Sequence, residues 1–102
     1  ADRIYDKVIK TGKYQYMIDL PDQLQEIFKT FNYEFYSFPN VGLFGSSDAE
    51  VIDGFHGGEL SYGKMLMSML ESGSRLKEVI SIDELKYHIE NPVNRYTLYQ
   101  YY

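Results

Sequence analysis

Asp53 stands three residues before His56 in the run Asp53-Gly54-Phe55-His56-Gly57-Gly58-Glu59, which leads straight into a helical apolar pattern. An acid so close to an imidazole can hold one ring nitrogen and fix the tautomer, leaving the other nitrogen to take a proton. The glycines on both sides let the backbone turn tightly. In the generalised nucleophile–base–orienter arrangement, His56 is then the general base and Asp53 its orienter. The alternative is a loop histidine that hydrogen-bonds its own turn.

The remaining candidates are weaker in chemistry. Asp48, Glu50 and Glu59 flank the pair, and one histidine with carboxylates could hold a divalent ion. Carboxylates on a surface loop are ordinarily just solvated, so no metal is expected. Ser46 and Ser47 carry hydroxyls in a Gly-Ser-Ser loop, but a nucleophile usually sits on a sharp strand-to-helix turn, and the chain runs from them into another loop. His88, between Tyr87 and Ile89, reads as a surface or packing histidine. No phosphate-binding glycine pattern follows a strand and precedes a helix, so neither a nucleotide nor another cofactor is expected.

These residues must be positioned by a short series of elements. Ile4, Tyr5, Val8 and Ile9 share one helix face, which Gly12 ends. Tyr14 to Ile18 reads equally as a short strand or a connector. Leu20, Leu24, Ile27, Phe28 and Phe31 form one stripe of a helix over 20–31, capped by Asp19 or Asp22, with Pro21 tolerated in its first turn. Tyr33 to Phe38 is enriched in aromatics without a helical stripe and reads as a strand. Residues 41–50 read as a loop. Tyr62, Met65, Leu66, Met69 and Leu70 repeat at helical spacing over 60–70, with Gly73 as the stop. The methionines there read as core filling, with a Met-rich groove for partner peptides as the alternative. Ser81 and Glu84 form a capping box opening a helix to about Glu90. The tail, Tyr96 to Tyr102, is aromatic and extended. Leu24, Ile27, Phe28, Leu66, Met69 and Leu70 are expected to share one core under a short sheet containing Tyr33 to Phe38.

Composition narrows the classes. The 102 residues suffice for one small domain, and 44% hydrophobic content is enough for a core. A net charge of −5 argues against nucleic acid or an anionic membrane as partner. The absence of cysteine excludes disulfides, thiolate metal sites and cysteine nucleophiles; it leaves the compartment open. No apolar run approaches the roughly 20 residues of a membrane span. The eleven tyrosines suit side chains that bridge a core and a wet rim, with a carbohydrate or protein contact surface as the alternative. A first residue of Ala1 rather than Met suggests a processed product, a trimmed chain or a fragment.

Residues 51–66, from Val51-Ile52-Asp53-Gly54-Phe55-His56 through Leu60-Ser61-Tyr62-Gly63 to Leu66, resemble the last block of SGNH/GDSL-type esterases and acyltransferases. There an Asp-x-x-His pattern sits in the loop before the final core helix, and the helix and strand over Leu20 to Phe38 match the βαβ element that leads into that block. The resemblance implies an α/β fold: the C-terminal part of a three-layer α/β/α, flavodoxin-like sandwich with few strands. It implies that Asp53 and His56 belong to a Ser-His-Asp triad acting on an acylated sugar or envelope polymer, with a bacterial cell envelope or extracytoplasmic setting favoured. The family's Gly-Asp-Ser block and its oxyanion glycine and asparagine blocks are absent, and Gly57 stands where proline is common. The serine is therefore expected outside this chain, in a missing N-terminal part of the same protein or in another chain, and the chain alone is not expected to be active. In this reading residues 1–102 are one domain or fragment, with 14–72 the helix–strand–loop–helix core and 73–102 a helical extension and aromatic tail. The competing reading is a noncatalytic protein-interaction domain using the Tyr-rich tail and Met-rich helix.

Overall fold

The described residues form four α-helices: α1 (Asp2–Thr11), α2 (Gln15–Thr30), α3 (Glu59–Glu71) and α4 (Ile82–Glu90). Short 3₁₀ turns lie between them at Val41–Phe44, Asp48–Glu50 and Arg75–Glu78. The computed structural model describes residues 2–101. Among these residues there is no β-strand, and the one isolated bridge pairs Val51 with Gly57.

The architecture is helical, which overturns the α/β sandwich and the sheet expected from the sequence. Tyr33 to Phe38 forms no regular element and has no strand beside it. β-propensity reports how well a side chain packs on a pleated, half-buried surface, not a backbone preference. Here the aromatic rings pack locally instead. Phe28 meets Phe35 and Tyr33 at ring separations of 5.2 and 6.5 Å, and Phe38 meets Phe44 edge-on at 5.3 Å. Tyr14 to Ile18 is neither strand nor connector, because α2 starts at Gln15 and absorbs it. Pro21 consequently lies inside α2 rather than in its first turn, and neither Asp19 nor Asp22 is its cap.

The core sits in the second half of the chain. Leu60, Leu70, Leu85 and Leu98 are buried together, with Leu66, Met67, Ile80 and Ile89 packed around them. α3 packs on α4 and on the 3₁₀ turns at 41–44 and 75–78. Gly63 allows this closeness: a Cβ there would lie 2.8 Å from Leu98 Cδ2. Ser81 caps α4 by accepting from the Glu84 amide at 3.2 Å, half of the expected capping box.

The expected common core is split. Leu70 is 3% exposed, whereas Ile27 is 54% and Phe28 36% exposed, and α2 has no buried residue. α2 and its approach form a projecting arm. The radius of gyration is 15.3 Å, against about 13 Å for a closed globule of this length. The arm is tied down by Glu34, whose carboxylate accepts from the Ser74 hydroxyl at 2.7 Å and the Arg75 amide at 2.5 Å. The Arg75 guanidinium in turn donates to the Asn32 carbonyl at 3.0 Å.

Candidate functional site

Residues 51–57 form a tight loop closed at its base by the Ile52 amide donating to the His56 carbonyl at 2.8 Å. Gly54, at the corner, has φ +87°, a conformation that L side chains enter only with strain. Asp53 organises the turn. Its Oδ1 accepts from the amides of Phe55 at 3.0 Å and His56 at 2.7 Å. Its Oδ2 lies 2.5 Å from His56 Nδ1. The structure thus brings together the two residues singled out in the sequence.

The electrostatics follow from these contacts. The His56 amide, then the His56 ring and the Phe55 amide, hold the Asp53 carboxyl well below the usual carboxylate range. An ionised Asp53 can only accept, so the proton between them sits on His56 Nδ1. In neutral imidazole Nε2 is then the bare acceptor, as a general base requires. Both side chains are exposed, His56 at 75% and Asp53 at 51%. Among the described residues no serine hydroxyl hydrogen-bonds to His56.

The other sequence candidates are placed elsewhere. Ser47 is exposed and stands at the start of the Asp48–Glu50 turn, without a capping bond from its side chain. His88 packs on the rings of Tyr87 and Tyr99, with centroids 5.4 and 4.5 Å away. Glu59 turns away from the histidine and accepts from the Leu98 amide at 3.0 Å. That bond and one from the Tyr101 hydroxyl keep the Glu59 carboxyl below its ordinary value. Glu50 pairs with Lys64. Among the described residues no group of three or more His, Asp or Glu side chains converges as metal ligands would.

One polar cluster escaped the sequence reading. Ser46 Oγ lies 2.5 Å from Glu50 Oε2 and 3.0 Å from Ser61 Oγ. Lys64 Nζ reaches Glu50 Oε1 at 2.6 Å and the Gly45 carbonyl at 3.1 Å. The signal available was Ser61 and Lys64, three apart on one face of α3. Their partners lie 14 and more residues upstream, beyond any local pattern.

No protein-family model, curated protein or solved structure matches the chain. None of these comparisons identifies an SGNH/GDSL family. No helix among the described residues is long and apolar enough to cross a membrane.

Proposed function

We propose that Asp53 and His56 are the orienter and general base of an ester-hydrolysing or acyl-transferring site whose nucleophilic serine is supplied from outside these 102 residues. The observation that carries this reading is the 2.5 Å contact between Asp53 Oδ2 and His56 Nδ1, with the rest of the imidazole open to solvent. A carboxylate-fixed imidazole takes a proton from an incoming hydroxyl through Nε2, and the carboxylate stabilises the imidazolium that forms. The exposure of the pair suits a nucleophile arriving from another surface. An acylated sugar or envelope polymer is the proposed substrate class.

The test is hydrolysis of a short-chain acyl ester by the natural full-length polypeptide. His56→Ala lowers turnover by about 10²–10⁴-fold, the usual contribution of a general base. Unchanged turnover in that variant overturns the reading. The isolated chain remains at the buffer rate, and robust hydrolysis by it would mean that a nucleophile lies within these residues.

One observation favours a second reading, a noncatalytic interaction domain. The apolar stripe of α2, including Met17, Leu20, Ile27 and Phe31, is exposed, and contiguous apolar surface marks contact sites. The tail tyrosines Tyr99 and Tyr101 are exposed as well, while Leu98 is buried against α3 and Met67 packs on the core. Sedimentation velocity separates the cases. A monomer across the whole accessible concentration range speaks against the stripe as a self-association surface.

A further inference from the structure

The base of the arm is held by a carboxylate set into the start of a 3₁₀ turn. Ser74 is fully buried. Its hydroxyl accepts from the Leu76 amide at 3.2 Å and donates to Glu34 Oε2 at 2.7 Å. The Arg75 amide opens the Arg75–Glu78 turn, where an N–H has no acceptor within its own helix, and it donates to Glu34 Oε1 at 2.5 Å. Arg75 Nε lies 3.4 Å from the same oxygen. Three donors thus converge on one carboxylate from residues 40 and 41 positions away in the chain.

The rings around Glu34 mark where the arm ends and the core begins. Phe35 packs on Phe28 of α2 at 5.2 Å and so belongs to the arm. Phe38 packs on Phe44, which is buried, and belongs to the core. The pivot is therefore Tyr36-Ser37. α2 has no buried residue, so packing does not set its direction. The Glu34 contacts do, together with the Arg75 bond to the Asn32 carbonyl. The sixteen residues of α2 make a rod about 24 Å long, and a small rotation at the pivot moves its far end a long way. Beyond that end α1 returns to the core. Ile4 Cδ1 lies 3.7 Å from the position of a Cβ added to Gly54, and Arg3 and Ile4 line an open cleft with Asp48 and Ala49.

We propose that α2 is a lever, latched at its base by Glu34, that holds α1 against the Gly54 corner of the Asp53 turn. Release of the carboxylate swings the arm out and takes α1 off the turn. The open state strands no charge, because Arg75 is already 62% exposed and both ions go to water, where such a pair is worth little. The two arrangements are therefore close enough in energy for one side chain to choose between them. The inference is independent of what Asp53 and His56 do, and a failed ester assay leaves it untouched.

The test is the nuclear Overhauser effect between the Ile4 δ1 methyl and the Gly54 α protons. It is present in the unaltered chain and lost in Glu34→Ala, while effects among Leu60, Leu70, Leu85 and Leu98 persist and the radius of gyration rises above 15.3 Å. Absence of the effect from the unaltered chain overturns the proposal, and so does its full retention in Glu34→Ala. Loss of the effect with no rise in the radius of gyration also overturns it, because α1 would then have detached without a swing of the arm. If Glu34→Ala does not fold, Glu34→Gln decides. It keeps the shape of the side chain but has one acceptor oxygen, which cannot serve both the Ser74 hydroxyl and the Arg75 amide. The effect weakens in that variant, and an unchanged effect contradicts the latch.

Discussion

The two carboxylate oxygens of Asp53 divide between the backbone and the ring of His56: Oδ1 accepts from the His56 amide at 2.7 Å, and Oδ2 from Nδ1 at 2.5 Å. One side chain therefore sets both the fold of the turn and the state of the imidazole.

This double role gives the turn a pH dependence. Asp53 has a folded pKa depressed below its unfolded value, so its stabilisation of the turn is complete above the ordinary carboxylate pKa of about 4 and is lost as the pH falls through the depressed value. Glu59, also depressed, follows the same sign, and its protonation loosens the tail at Leu98. The NMR shift of the Leu98 amide, held by Glu59, should be flat from pH 7 to about 5 and move only in stronger acid. Movement confined to neutral pH would contradict the Glu59 assignment.

The split between arm and core predicts unequal mutational costs. Leu70→Ala, deep among Leu60, Leu85 and Leu98, should lose about 2–5 kcal/mol. Ile27→Ala, on the exposed face of α2, should change stability by less than about 0.5 kcal/mol. Urea denaturation of the two variants checks this, and a loss at Ile27 matching that at Leu70 would mean that α2 is covered in solution.

Gly63 offers a sharper test of the α3–tail packing. A methyl group there collides with Leu98 Cδ2, so Gly63→Ala should cost about 1–3 kcal/mol, although alanine is the better helix former. A stabilised variant would show that the tail does not lie against α3.

The half-buried ion pair of Lys64 and Glu50 should be sensitive to loss of one partner. Lys64→Met leaves Glu50 Oε1 and the Gly45 carbonyl without their donor. The cost should be about 1–3 kcal/mol, read from the denaturation midpoint. A neutral effect would mean that water replaces the ammonium freely.

Local features were the ones the sequence exposed. The Asp53 turn closes within four residues, and Gly54 supplies its corner. The α3 and α4 stripes and the Ser81 cap likewise depend on neighbours at helical spacing. What the sequence could not expose was the partner of each apolar face. A stripe such as Leu24, Ile27 and Phe28 shows that one side of a helix is apolar, not what covers it. The aromatic run from Tyr33 to Phe38 met every local condition for a strand and failed for want of another strand to pair with. The Ser46–Ser61 contact joins residues 15 apart through tertiary packing and has no local signature. The expectation of an α/β sandwich came from the resemblance of residues 51–66 together with Leu20 to Phe38 read as the helix and strand before them, and it failed because no strand forms at Tyr33 to Phe38.

Asp53 holds His56 with Nδ1 protonated and Nε2 free to act as a base. The ¹⁵N shifts of the His56 ring in the chain, above the pH at which the ring is neutral, measure this directly. A protonated, pyrrole-like Nδ1 and a bare, pyridine-like Nε2 are expected, with the preference lost in Asp53→Asn. A neutral ring carrying its proton on Nε2 in the unaltered chain would contradict it, because Nδ1 would then face an ionised carboxylate with no hydrogen to give.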